Sequence, residues 1–299
     1  MILVAGGTGT LGSRVVTALA GRDAAVRILT RDAARAGHLA RDVVDVCVGD
    51  VRDPEAVAVA TSGVSAVVSC VQGFAGVDPV GPEAVDRDGN ANLVRAAVAA
   101  GAARFVLVSA VGAAPDSPLK FRRIKHQSEQ LVIASGLQWT VLRPTVYLET
   151  WIGFLGDMIA GKRALTLFGR GDNPINFVSA DDVAALAVQA ALAPGLAGAT
   201  LEIGGPEDVT LNELAGALLA ARAVDTPVRH VPLPVLRATA TVLRPVKPSI
   251  AALAQFSVIM DTVDMTLAVD SARAAVPDLP VTYVRDLLAA TGVRRGEGA

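Results

Sequence analysis

Apolar residues open this chain in a strand-length block, Ile2 to Ala5, and then change period. Leu11, Val15, Val16 and Leu19 follow at the spacing of one helix face. The same exchange repeats. Near-continuous apolar blocks fall at 25–30, 43–48, 64–71, 104–109 and 138–142. Between them lie helical stretches: a short one after Asp32, one opening at Asp53-Pro54, one over 82–100 closed by Gly101, and one over 119–135 closed by Gly136. Blocks without alternation read as strands buried on both faces, so the pattern predicts a doubly wound, parallel α/β sheet with helices on both sides. From Leu148 the alternation loosens. A helix over 149–160 is expected to be core, with Trp151, Phe154, Leu155 and Met158 on its apolar face. Short strands over 164–168 and 174–178, a helix capped by Ser179, a strand over 200–203 and a helix over 211–223 follow. A strand ending at His230 and a last helix over 282–290, stopped by Gly292, lead to a frayed tail. This divides the chain into a domain over 1–147 and a smaller lobe over 148–299, interleaved with the first and not folding alone.

The joint between the first strand and the first helix carries candidate chemistry. It reads Gly6-Gly7-Thr8-Gly9-Thr10-Leu11-Gly12. Glycines at 6, 9 and 12, or at 7, 9 and 12, suit a tight turn, a close approach of a pyrophosphate to the backbone, and tight helix–strand packing. The unsatisfied N–H groups of the helix start then face the phosphate charge. This is a Rossmann-like arrangement, and it predicts a dinucleotide along the carboxyl edge of the sheet. The second strand ends at Thr30, and Arg31-Asp32 follow, where the adenosine ribose is read. A guanidinium suits a 2′-phosphate, so NADP is expected over NAD, with Asp32 as the alternative reader. Asp50 and Val51 leave the third strand where the adenine would lie, and Gln72-Gly73-Phe74 leave the fourth at the same edge. Asn90 and Asn92, poor helix formers inside the 82–100 helix, are either surface residues or bonded to backbone near the site.

Composition narrows the class. The 299 residues are 52% hydrophobic and 19% charged, enough for a sizeable core. A net charge of −2 without a basic run argues against nucleic acid as partner. Cys47 and Cys70 sit in strand blocks and read as buried free thiols of a reducing, cytoplasmic protein. His38, His126 and His230 are too scattered for a metal site, and His126 reads as surface. Met1 leads straight into the first block, so no signal peptide is expected, and prolines and charges interrupt the most apolar later stretch, 231–260, so no membrane span is.

Taken together, these stretches resemble the atypical short-chain dehydrogenases/reductases, in particular their NmrA-like NAD(P)-binding group. The matching residues are the glycine turn, Leu29-Thr30-Arg31-Asp32, Gly49-Asp50-Val51, Phe105 to Ser109, Leu142-Arg143-Pro144-Thr145, Asn176 to Ala184 and Gly204-Gly205-Pro206-Glu207. The resemblance spans residues 1 to about 215 and implies cofactor contacts from Gly6, Thr8, Gly9, Thr10, Leu11, Gly12, Arg31, Asp50, Val51, Lys125, Pro144 and Thr145. The family's usual Ser and Tyr-x-x-x-Lys set falls on Ser109, Phe121 and Lys125. Phenylalanine has no proton to give, so the ordinary carbonyl-reductase step is lost at that position. Three readings follow. Lys125 or the substrate handles the proton; or hydride transfer needs no enzyme acid; or the fold senses NADP without turnover, as NmrA-like regulators do. Expected catalytic residues are Lys125 for ribose binding and proton relay, Ser109 for substrate positioning, and Tyr147, which lies beyond Arg143-Pro144. Residues 226–265, with Trp151 and Phe154, are expected to select a small, largely apolar substrate. The predicted protein is thus an NADP(H)-dependent reductase of a carbonyl or activated alkene, monomeric or homodimeric, with a non-catalytic redox sensor that binds a protein partner as the alternative.

Overall fold

A computed structural model describes residues 1–73, 81–160 and 164–293. Phe74 and the tail at 294–299 lie outside the described residues. In chain order the elements are β1 (Ile2–Ala5), α1 (Thr10–Ala20), β2 (Val26–Thr30), a 3-10 turn (Ala33–Leu39), β3 (Val44–Val48), α2 (Pro54–Thr61) and β4 (Ala66–Ser69). A π-helical segment (Glu83–Gly89) runs directly into α3 (Asn90–Ala99), then β5 (Arg104–Val108), α4 (Lys120–Ile133), β6 (Gln138–Pro144), β7 (Val146–Tyr147) and α5 (Leu148–Ile159). Then come β8 (Leu165–Phe168), β9 (Ile175–Val178), α6 (Ala180–Leu192), β10 (Ala199–Ile203), β11 (Asp208–Val209), α7 (Leu211–Ala221) and β12 (Val228–Val231). The last helices are α8 (Leu233–Val242), α9 (Pro248–Thr262), α10 (Ser271–Ala275) and α11 (Val284–Val293).

The chain divides into two compact units, each made of three segments: Met1–Pro144, Ala180–Ile203 and Val269–Pro280 in the first; Thr145–Ser179, Gly204–Ala268 and Val281–Ala299 in the second. The first unit is built on a seven-stranded parallel sheet in the order β10-β6-β5-β4-β1-β2-β3. The strand order reverses between β1 and β4, the switch point at which such sheets bind their ligands. Leu3, Val67, Phe105, Leu107 and Val141 fill one core face from successive strands, as the unbroken apolar blocks require. At the edge, β3 is largely exposed, and its Asp45 pairs with Arg27 of β2 at 2.7 Å, a charge that discourages further strand pairing. The return through α10 is fixed by charge. Arg273 donates to Asp182 at 3.0 Å, and Ser271 Oγ accepts from Glu202 N at 2.8 Å.

The second unit holds two small sheets, β11-β9-β7 and β12-β8, around a core of Leu155, Leu165, Phe177, Leu214, Met260 and Leu288. α7 starts with a full capping box between Thr210 and Glu213. No described helix is long and apolar enough to cross a membrane.

Several expectations are corrected. The 82–100 helix begins as a π segment, whose wider turn buries Asp86 and Gly89. Phe154 is exposed rather than core, while Leu155 and Met158 are core as expected. Both cysteines are partly exposed as residues rather than buried, although the Cys70 thiol itself is desolvated. His126 is half-buried, because its ring leans on Glu129 one turn along α4. The final helix runs past Gly292 to Val293.

Candidate functional site

The site is built at the carboxyl ends of β1, β2, β4 and β5 in the first unit. Gly6 turns the chain out of β1 with φ +77°, where any Cβ would press on the Cys70 carbonyl at 3.0 Å. A side chain at Gly12 would overlap the Gly6 carbonyl, so this glycine is dictated by the closeness of α1 to the turn. Gly9 is different. Its ideal Cβ meets only the Gly6 carbonyl, at an ordinary 3.4 Å, and its φ of −84° is open to any residue. The protein's own packing therefore does not require glycine at 9, whereas a group approaching from outside would. Gly9 is also the N-cap of α1 and gives it no side-chain cap. The amides of Thr10, Leu11 and Gly12 precede the first helical acceptor, and the first amide to reach back is Ser13 N, to Gly9 O at 3.0 Å. An uncapped helix start behind a bare backbone is a cradle for a phosphate group. These residues fit the dinucleotide predicted for them.

The neighbouring strand end supplies the rest of that edge. Thr8 Oγ1 lies 3.3 Å from Thr30 Oγ1, which tethers the glycine turn to β2. Asp32 accepts from Ala34 N at 2.9 Å and caps the 3-10 turn, which explains this carboxylate structurally. Arg31 stands exposed beside it. Asp50 accepts from the Nε and Nη2 of Arg52 at 3.0 and 2.7 Å. The Arg52 guanidinium holds its carboxyl below the usual carboxylate range, and the Arg31 charge adds a smaller pull in the same direction. Val51 is buried, and its carbonyl accepts from Asn92 Nδ2 at 2.9 Å. Asn90 is buried as well. It accepts from Ser69 Oγ and donates to Asp86 O, both at 2.6 Å. Both asparagines are thus bonded inside the unit rather than set on its surface.

The catalytic positions are occupied in an unexpected way. Phe121 and Lys125 are one turn apart on α4, as the family pattern requires. Lys125 Nζ, only 5% exposed in its side chain, sits 2.8 Å from Asp86 Oδ1, and donates to Val108 O at 3.0 Å and to Val71 O at 3.3 Å. Two of the ammonium's three donors thus go to backbone carbonyls, and the Asp86 carboxylate is its ion-pair partner. Asp86 in turn accepts from Gly73 N at 2.8 Å, at the end of β4. Lys125, the residue expected to bind the ribose and relay a proton, is held between α4, the π segment and two strand ends. Ser109 follows β5 at the predicted place, but it is buried and its hydroxyl donates to Glu129 Oε1 at 2.5 Å. Arg143 grips the same carboxylate with Nε at 2.9 Å and Nη2 at 2.7 Å, and this pairing raises the arginine further above its ordinary value. Cys70, beside the glycine turn, has its thiol pushed up to about 12 by burial, against a weaker opposing pull from Lys125.

Pro144 closes β6, and its carbonyl accepts from Val111 N at 3.0 Å. Thr145 and Tyr147 belong to the second unit: Thr145 Oγ1 lies 3.2 Å from Asn176 Oδ1, and Tyr147 pairs with Val178 in the β7–β9 ladder. Sequence reasoning passed over Asp86 and Glu129 as site residues. Glu129 lies four positions after Lys125, and that spacing, which puts both on one helix face, was the available signal.

A family model described as NAD(P)H-binding matches residues 6–194. The chain is 36% identical over 231 residues to the NAD(P)H azoreductase of Xenophilus azovorans, an alignment covering 77% of this chain and 76% of that protein. It is 31% identical over 253 residues, 84% and 83% of the two chains, to a (4-alkanoyl-5-oxo-2,5-dihydrofuran-3-yl)methyl phosphate reductase of Streptomyces griseus. Among solved structures it is similar in fold to an NADPH-dependent quinone oxidoreductase of Escherichia coli complexed with NADPH. The TM-score is 0.77 at 22% identity, over 97% of this chain and 99% of that one. The NAD(P)H-binding part of the resemblance read from the motifs holds, and both relatives named above are reductases.

Proposed function

The chain belongs to the NAD(P)H-binding family, and from that premise we propose that it is an NADPH-dependent reductase whose hydride transfer uses no acid from the Ser, Tyr-x-x-x-Lys positions. One observation carries this reading. At those three positions the chain has a serine whose hydroxyl donates to Glu129, a phenylalanine, and a lysine that donates to Val108 and Val71 and is ion-paired with Asp86. When bound, the nicotinamide supplies a hydride. The chain's residues supply the rest. The glycine turn and the α1 amides hold the pyrophosphate, and Arg31 takes the 2′-phosphate, which favours NADP over NAD. Asp50 and Val51 flank the adenine.

Such a site suits acceptors that need no proton in the transition state. Hydride addition to a plain ketone leaves a localised alkoxide, which calls for an enzyme acid. Addition to a quinone leaves a phenolate-type anion, whose conjugate acid has a pKa of about 10 and which water can protonate afterwards. Activated alkenes and cationic dyes spread or cancel the charge in the same way. The substrate is therefore a small, largely apolar compound of this kind. Trp151, with its ring edge-on to Phe154 at 5.7 Å and to Phe177 at 6.4 Å, is our candidate for selecting it.

The test is NADPH and NADH binding, followed by cofactor oxidation against quinones, enones, cationic dyes and aryl ketones. Tighter NADPH binding with turnover on the first three classes supports the reading. Tight binding with no turnover on any class would replace it with the redox sensor.

A further inference from the structure

The stretch 226–265, expected to take part in substrate selection, carries no motif of the glycine-turn kind. It supplies β12 and then α8 and α9, which pack together as a helical hairpin. The hairpin is closed by a tight link in which Val246 N and Lys247 N donate to Leu243 O at 3.2 and 2.7 Å. Leu236, Ala251, Ala254 and Met260 are buried from it. At its closed end the pattern inverts. Val242, Val246 and Leu253 are 68%, 74% and 56% exposed, and Ile250 is 43% exposed. Single surface aliphatics are ordinary, but four around one turn mark an interaction surface.

The charge of the hairpin's closed end is one-sided, since Asp261 and Asp264, the acids of 226–265, lie at and beyond the C-terminal end of α9. Residues 226–260 contain no Asp and no Glu, in a chain whose net charge is −2. Their charged residues are Arg229, Arg237, Arg244 and Lys247, all exposed, and among the described residues none is ion-paired. Arg244 and Lys247 stand in the link itself, among the exposed aliphatics.

We infer that the α8–α9 hairpin is a peripheral docking element for an anionic lipid surface, with Val242, Val246, Ile250 and Leu253 entering the acyl boundary and Arg244 and Lys247 at headgroup level. Aliphatic side chains inserted beside basic ones are the two signals that surface attachment combines. Lysine and arginine stems tolerate this depth because their charged ends reach outward to the phosphates. A second copy of the chain fits worse, because a two-fold contact would oppose like charges. Residues 226–260 hold no Trp or Tyr, two of the residue types that anchor protein interfaces, and their exposed cations suit a phosphate headgroup.

The experiment is flotation of the full chain with vesicles of phosphatidylcholine containing about one quarter phosphatidylglycerol, beside vesicles of phosphatidylcholine alone. The expected result is flotation with the anionic vesicles only, weakened as NaCl rises from about 0.1 M to about 0.5 M. R244Q/K247Q lowers the partition coefficient about thirtyfold, at about fivefold per cation. V246S/I250S, at unchanged charge, lowers it at least about tenfold. Circular dichroism and denaturation midpoints matching the parent show that both variants are folded. Equal flotation with neutral vesicles, no flotation with either, or parental flotation of both variants would overturn the inference. So would a dimer in sedimentation that V246S/I250S abolishes without any vesicle binding, which assigns the surface to a second copy. Binding to polyglutamate without vesicle binding would overturn it in favour of an acidic protein.

Discussion

Replacing Asp86 by Asn removes the carboxylate partner of Lys125 while keeping the shape of the side chain. The two groups are 2.8 Å apart, with side chains 5% and 2% exposed. Their attraction is about 6 kcal/mol at an effective dielectric of about 20. Withdrawing each ion from water costs several kcal/mol, so the intact pair contributes little net stability. Breaking it is another matter. Asp86→Asn leaves a buried ammonium without a compensating charge, and Lys125→Met leaves a buried carboxylate with only Gly73 N. Each single change is expected to destabilise the first unit by about 3 kcal/mol, and Asp86→Asn/Lys125→Met by less than either single change. Guanidinium unfolding at pH 7 measures this when followed by Trp139, which lies in β6 of the first unit. A Trp151→Phe background silences the tryptophan of the second unit. Single losses below about 1 kcal/mol, or a double mutant equal to the sum of the singles, would refute the pairing.

Arg31→Ala should weaken NADPH binding by about tenfold or more and NADH binding hardly at all, and equal losses in titration calorimetry would remove Arg31 from the site. Gly9→Ala should cut NADPH affinity while leaving the melting temperature within a few degrees. Gly12→Ala should lower the melting temperature sharply, since its Cβ collides with the Gly6 carbonyl. For Asp50 the folded carboxyl lies below its ordinary 3.8, so its contribution is present above that value and is lost as pH falls through the lower folded one. Acid unfolding of Asp50→Asn should lack that part of the slope, and an unchanged curve would contradict it.

What the sequence disclosed was what local chemistry dictates. The sheet was legible because strands buried on both faces cannot alternate, and the glycine turn because only glycine meets the Gly6 and Gly12 constraints. The Lys125–Asp86 and Ser109–Glu129 pairs were not, because they join residues 39 and 20 positions apart through tertiary packing. The π segment also escaped, since its residues differ little from those of an ordinary helix. In 226–265 the five prolines hid the helical period. Two of them were informative all the same: Pro234 and Pro248 lie in the first turns of α8 and α9, where the missing N–H costs nothing.

The measurement that bears most directly on the reductase is NADPH oxidation with a quinone and an aryl ketone of matched size, compared as kcat/KM. The account predicts turnover of the quinone and at least about a hundredfold less of the ketone, the scale on which a missing general acid is felt. Comparable rates on both would show that the chain supplies an acid after all, and would contradict it.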